Sequence, residues 1–471
     1  MTFAPEFLNP NPQTDMCLPD KRKVKLYLII AVWLLVIPGC AAQAVRIGVF
    51  NVDATPPIGS PVAYARARSI TDSLSARGVV ILSDEKPIVL CAVDWIGISN
   101  EGQDVWRRKL ADAAHTTVER VSVHALHQHD GVVCDFRIER ILSRYGMGGS
   151  HMDSLFLLEV IDNVAAGVSK AMRSAQEVTH VGFGQAQVDK VASNRRILGP
   201  DGKVAIVRWS STKDPKAIAA PEGLIDPWLK NVSFWQNDKP LAVLTYYATH
   251  PQSYYGQGDV TCEFVGIARN AREKATGIPH IHFNGAGGNI TAGKYNDGSP
   301  ATRVLLTERM EEAMKKAWAQ TSRSALTSKD LSWKYVNTHL PSTRNINAKD
   351  LKKTLEDTTS GTSDKYAAAE KLAWLEKNTV TNQVTISSLR LDRTWLLNLP
   401  GELFIEYQLA AQKLRPAPEQ VCTAAYEEYG PGYIGTSAAY SQGGYETSGL
   451  ASGVAPEVEE VLMRAIRAVL K

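Results

Sequence analysis

Apolar and polar positions alternate with a period of two through residues 45–53, until Pro56-Pro57 and Gly59 interrupt them. A strand that runs into a turn is the expected result. Residues 78–83 and 86–96 repeat the pattern on either side of Asp84-Glu85, as a strand pair would. The period then changes. Residues 101–116 read as a helix, and in 153–175 Leu155, Leu158, Val160, Ile161, Val164 and Val168 fall on one wide apolar face. Short strands are predicted near 179–188 and 203–209, and a strand pair over 230–250 is joined by Gln236-Asn237-Asp238-Lys239-Pro240. A helix near 264–275, a strand at 280–284, a glycine-rich loop at 285–293 and an amphipathic helix at 303–320 follow. From 325 to 380 the composition turns to Lys, Asp, Thr and Ser, with helical stretches at 348–357 and 363–377, and reads as a solvated helical insertion. Two strands are predicted over 381–399, a helix from Glu402 to about Leu414, a Tyr- and Gly-rich segment at 422–449 and a closing helix at 455–470. Strands and helices mixed in this way predict a mixed α/β (α+β) fold, read as one large domain over 45–471.

Chemistry enters at residues 121–131, Val-Ser-Val-His-Ala-Leu-His-Gln-His-Asp-Gly. Val121, Val123, Ala125, His127 and His129 share one parity, so an extended strand would carry them on one face and deliver two imidazoles at its end. Imidazole is the commonest protein ligand for zinc-type metals. The apolar run 241–248 ends in Thr249-His250-Pro251, which sets a third histidine at a strand end. Glu402, following Pro400-Gly401, would open a helix whose positive end favours its anion. Each residue also has an ordinary reading, as a hydrogen-bonded core histidine or a first-turn carboxylate.

Composition narrows the class. The chain has 471 residues, 44% hydrophobic and 21% charged, with a net charge of +3 and both signs mixed throughout, so it is globular and carries no nucleic-acid footprint. Lys21, Arg22, Lys23 and Lys25 precede an apolar run at 26–37 and the small-residue site Ala42-Gln43-Ala44, the pattern of a signal peptide. Residues 1–44 are therefore expected to be an extension and export signal, with Met16 as a second start and Cys40 in a weak lipobox that would anchor the chain through lipid. The expected location is periplasmic or extracellular. Of six cysteines, Cys91, Cys134, Cys262 and Cys422 lie beyond this segment without Cys-x-x-Cys spacing, which argues against a thiolate metal site and leaves one or two disulfides open.

The motifs in order resemble the neutral/alkaline (non-lysosomal) ceramidases and their bacterial relatives. They are Val52-Asp53-Ala54-Thr55-Pro56-Pro57, Leu126-His127-Gln128-His129-Asp130-Gly131, Ala248-Thr249-His250-Pro251, Gly288-Asn289-Ile290-Thr291, Leu399-Pro400-Gly401-Glu402-Leu403 and Tyr433-Ile434-Gly435-Thr436 running to Tyr445-Glu446. The resemblance covers roughly residues 46–450 and implies a single catalytic domain without the family's C-terminal immunoglobulin-like domain. It implies one Zn²⁺ held by His127, His250, Glu402 and Tyr433, with Tyr426, Tyr429 and Tyr440 as neighbouring tyrosines. His129 would stand beside the metal as a donor to the transition state, and Asn289 and Thr291 would occupy the places of the family's Asp and Ser. A register three places away puts that Ser on Gly288 instead, and Asp130 replaces the Ser after the paired histidines. The implied activity is zinc-dependent hydrolysis of a linear amide, of N-acyl lipid or N-acyl amino-sugar type, through a metal-activated water. The competing reading is an exported binding protein that retains the fold and has lost the chemistry. Gly288-x4-Gly293-Lys294 imitates a phosphate-binding loop, but Tyr295 stands where a Ser or Thr is needed.

Overall fold

The computed structural model describes residues 44–379 and 383–471; the expected export signal and lipobox lie outside them. Three sheets form the frame. In the first, the strands run in the order Gln176–Glu177, Arg46–Asp53, Ser75–Leu82, Ile88–Val93, Val121–Ala125, all antiparallel except the last pair. The second runs His280–Asn284, Lys239–Tyr247, Trp228–Gln236, His180–Gln187, Ser322–Ala325, and its first pair is parallel. The third runs Leu331–Thr338, Val384–Leu391, Thr394–Asn398, Gln420–Ala424, and again its last pair is parallel.

Val79, Ile81 and Leu90 of the first sheet, Leu244 and Phe283 of the second and Leu389 and Leu396 of the third share one buried apolar cluster. A line of polar bonds joins the same sheets where their parallel strands end. The Ala125 amide donates to the Tyr426 carbonyl at 3.3 Å, the Ala425 amide to the Asn284 carbonyl at 3.0 Å, and the Asn284 amide to His124 Nε2 at 2.9 Å. Segments that leave these strands forward therefore converge on one place.

Several expectations need correction. The helix Ser154–Arg173 buries Leu157, Val160, Ile161, Val164 and Val168, but Leu155 is 82% and Leu158 39% exposed. The apolar face is thus narrower than its composition implied. The proposed insertion at 325–380 contains a core strand: Leu331–Thr338 pairs residue by residue with Val384–Leu391, and Leu331 and Trp333 are buried. Its apolar residues alternate among polar ones, which the average composition hid. The helix Thr362–Lys377 is not simply solvated either. Ala368, Ala369, Leu372, Ala373 and Trp374 are buried, and Lys377 Nζ is 2.5 Å from Asp104 Oδ1. Glu402 opens no helix: Glu402–Leu403 is a short strand, and the helix starts at Ile405. Cys91, Cys134, Cys262 and Cys422 are all buried and unpaired. Among the described residues no helix is long and apolar enough to cross a membrane.

Candidate active site

The strand Val121–Ala125 stops two residues before His127, which takes a left-handed backbone conformation (φ 65°). The two histidines thus lie on a loop and do not extend the strand face. Hydrogen bonds replace the lost ladder: the Leu126 amide donates to the Val93 carbonyl at 2.8 Å and the His127 amide to the Trp95 carbonyl at 2.9 Å. Between the histidines, Gln128 Nε2 donates to the Asp94 carbonyl at 2.5 Å, and Gln128 Oε1 accepts from the Asp130 amide at 2.9 Å. Under this loop Asp94 pairs with Arg269 of the helix Glu263–Thr276 at 2.6 Å, both side chains fully buried.

His250 follows the strand Lys239–Tyr247 and is clamped by the glycine loop. Its amide donates to the Ile290 carbonyl at 3.1 Å, and its Nδ1 lies 2.6 Å from the Gly287 carbonyl and 3.0 Å from that of Ile290. Glu402 and Tyr433 meet through the backbone. Glu402–Leu403 pairs in parallel with Tyr433–Ile434, and Glu402 is the register partner of Tyr433. Gly288 makes that approach feasible, because a Cβ there would stand 2.1 Å from the Glu402 carbonyl oxygen.

These four residues come together at their tips. Glu402 Oε2 lies 3.0 Å from His250 Nε2 and 3.3 Å from His127 Nε2, and the Tyr433 hydroxyl is 3.3 Å from His250 Nε2. His127, His129 and His250 are buried, with one ring nitrogen of each within 4.8 Å of the others. All three could reach a single ion by distance; their hydrogen bonds divide them. His127 Nδ1 is 2.8 Å from the Ile96 carbonyl, and His250 Nδ1 faces two carbonyls. Both Nδ1 atoms must therefore carry the proton, and both Nε2 atoms turn a lone pair toward Glu402. His129 Nδ1 is approached by the Tyr64 hydroxyl at 2.8 Å and Gln252 Nε2 at 3.0 Å, both able to donate. That leaves the His129 proton on Nε2, a buried atom with no partner. With these hydrogen bonds His127 and His250 could serve as metal ligands through Nε2, and His129 could donate from Nε2.

Burial alone would raise the Glu402 pKa, but the His127 and His250 imidazoles outweigh it and hold the carboxyl well below its ordinary range. Burial, followed by the neighbouring imidazoles, pushes His129 well below the usual histidine value. His250 is also lowered, by burial first. With both Nδ1 protons committed to carbonyls, a cation between the two Nε2 atoms and the carboxylate would satisfy all three. A donor set of two imidazoles, a carboxylate and a phenol suits zinc.

Other residues complete the site without having been anticipated. Arg195, buried, donates to the Tyr433 hydroxyl at 2.8 Å, and its Nε is 3.2 Å from the fully buried Glu446. The Tyr429 hydroxyl donates to Glu402 Oε1 at 3.0 Å, and Tyr426 stacks on His127 with ring centres 4.6 Å apart. Arg195 lies in a polar run without periodicity, so no sequence signal marked it.

Two expected catalytic residues are placed differently. Asn289 Oδ1 accepts from the Ile405 amide at 2.8 Å, and its Nδ2 donates to Glu406 at 2.9 Å. Both ends of its amide thus hold the start of the helix Ile405–Leu414 and face no imidazole. Thr291 pairs with Ser193 beside Ile290, whose carbonyl supports His250, and its Oγ1 is buried without a hydrogen-bond partner. Lys294 donates to the Ala220 carbonyl at 2.6 Å, which removes the lysine a phosphate-binding loop requires.

No protein-family model matches the chain, and no curated protein matches it by sequence. Solved structures do. A neutral ceramidase from Pseudomonas aeruginosa superposes with a TM-score of 0.63 at 16% identity, over 90% of this chain and 74% of that one. The fold is neutral-ceramidase-like. A structure described as a ceramidase complexed with C2 matches equally, at TM-score 0.63 and 15% identity, over 90% of this chain and 75% of its own. The similarity agrees with a single mixed helix-and-sheet domain.

Proposed function

We propose that the protein is a zinc-dependent hydrolase of a linear amide, with one Zn²⁺ held by His127, His250, Glu402 and Tyr433. The observation that carries this reading is the approach of two imidazole lone pairs to one carboxylate oxygen, at 3.0 and 3.3 Å, on a ceramidase-like fold. When bound, the ion supplies Lewis acidity to a carbonyl and lowers the pKa of a water. The chain's own residues do the rest. The Ile96, Gly287 and Ile290 carbonyls fix the two ligand rings in the tautomer a metal requires. His129, held by Tyr64 and Gln252, directs an N–H toward charge developing on the substrate oxygen. Arg195 holds the Tyr433 hydroxyl in place and opposes the burial that pushes its pKa well up. Substrates of N-acyl lipid or N-acyl amino-sugar type fit this chemistry, as does export.

The test is metal analysis of the purified protein together with a screen of N-acyl substrates. One zinc per chain is expected, with turnover that a chelator abolishes and zinc restores. His250→Ala should lose both metal and activity while keeping the circular-dichroism spectrum. Zinc bound at one per chain with no amide or ester turned over would replace this reading with that of a binding protein. A chain that binds no zinc would refute it.

A further inference from the structure

A cleft of about 150 Å³ is lined by Glu402, Tyr429 and Tyr433 and also by Asn100, Trp374 and Lys371. Asn100 and Lys371 have no part in the chemistry described above, yet each carries a polar group that lacks a hydrogen-bond partner. Asn100 is 1% exposed and left-handed (φ 47°), held by its amide to Glu428 Oε1 at 2.8 Å and by its Nδ2 to Asp135 Oδ2 at 2.6 Å. Because a carboxylate takes Nδ2, the orientation of the side-chain amide is settled. Oδ1 is then left as a buried acceptor with no partner. Such an atom costs free energy unless a ligand donates to it.

Lys371 also lines the cleft, half-buried on the helix Thr362–Lys377; among the described residues no hydrogen bond or salt bridge reaches its Nζ, and the neighbouring Glu370 acts on it only through space. Its neighbour Glu370 also lines the cleft but lies 3.5 Å from His151 Nε2, on the loop before the helix Ser154–Arg173. Val133, Ile138 and Leu450 form apolar wall around these groups. The cleft thus joins a cation, a buried acceptor and apolar surface to the proposed zinc site, since Glu402 and Tyr433 line it too.

We infer that this part of the cleft binds the amine half of an N-acyl amino acid, with its carboxylate on Lys371 and a hydroxyl or N–H donated to Asn100 Oδ1. The inference rests on the amidase reading and narrows it, since an uncharged amino alcohol would leave Lys371 unmatched.

The experiment compares N-decanoylserine with N-decanoylserinol, which has a hydroxymethyl group in place of the carboxylate, on the zinc-loaded protein. The wild type should favour the carboxylate at least tenfold in kcat/KM. Lys371→Met should bring that ratio close to one by raising KM for N-decanoylserine, and Lys371→Arg should preserve it. Lys352→Met removes an equal charge from an exposed position on another helix and should leave the ratio unchanged. A wild-type ratio of one, or a ratio that Lys371→Met does not alter, overturns the inference. If neither compound is cleaved, the amidase reading fails separately, and calorimetry decides the subsite. Binding of N-decanoylserine that weakens at least tenfold in Lys371→Met supports it; equal binding by the two proteins overturns it.

Discussion

At the residue scale, two substitutions separate chemistry from architecture. Thr291 Oγ1 is buried beside the segment that holds His250 but bonds to neither imidazole nor carboxylate. The role proposed for it is to assist rather than to attack. Thr291→Ala should keep its zinc and lose about tenfold in kcat, the worth of one transition-state hydrogen bond of ~1.4 kcal/mol. Complete loss of turnover with metal retained would instead make it the nucleophile, and no change would remove it from the mechanism. Arg269 is an opposite case, remote from substrate but fully buried against Asp94, which also accepts from the Ser75 amide and hydroxyl. Arg269→Met leaves that carboxylate buried without its counter-charge. A loss of about 3–5 kcal/mol is expected in denaturant unfolding, the usual cost of breaking a buried pair on one side.

At the element scale, the site depends on places where regular structure stops. The strand Val121–Ala125 ends before the histidines, and the two-residue strand at Glu402 is held between Gly288 and Tyr433. Gly288→Ala tests this packing, because its Cβ would lie 2.1 Å from the Glu402 carbonyl oxygen, and also close to that of Leu403. The backbone must shift, and Glu402 with it. Zinc affinity should fall at least tenfold while the global fold survives, as read by metal titration; unchanged affinity would show that Glu402 is positioned by other means. The positions of the regular elements were largely legible in the sequence. Alternation and helical spacing locate Arg46–Asp53, Ser154–Arg173 and His280–Asn284 closely, since each buries one face against a large core. The element starting at Glu402 was misread because Pro400-Gly401 signals a helix start equally well when a short bridge intervenes. Leu331–Thr338 was missed because its partner, Val384–Leu391, lies beyond two helices in the chain.

At the scale of the whole molecule, the seam where three sheets meet buries more than the site. Burial pushes Glu427 and Glu428 up to about 7 and Asp135 up to about 6. In the unfolded chain such groups titrate near 4. A carboxyl whose folded value is raised holds its proton more tightly when folded. Its contribution to stability is therefore complete below about pH 4 and is lost as pH rises through 7. Glu428→Gln removes the titration while its Oε1 still accepts from the Asn100 and Gly430 amides. The thermal midpoint of the wild type should fall more steeply between pH 5 and 8 than that of Glu428→Gln; parallel curves would show that Glu428 is not protonated in the folded state.

The sequence by itself determined most of the order of the elements and the mixed fold, and through the family resemblance it named the four residues proposed to hold zinc. Those properties are local: periodicity records which face is buried, and imidazole or carboxylate at a strand end is visible as residue type. Tertiary structure alone decided which tautomer each histidine adopts, because the Ile96, Gly287 and Ile290 carbonyls and the Tyr64 and Gln252 side chains lie far from the rings they orient. It alone brought Arg195 to Tyr433, 238 residues away, and engaged both ends of the Asn289 amide at a helix start. It also turned a polar stretch read as a surface insertion into one wall of the cleft, through Trp374 and Lys371. Hydrogen-bond partners and cavity walls are relations between segments brought together only when the three sheets pack, and no spacing along the chain encodes them.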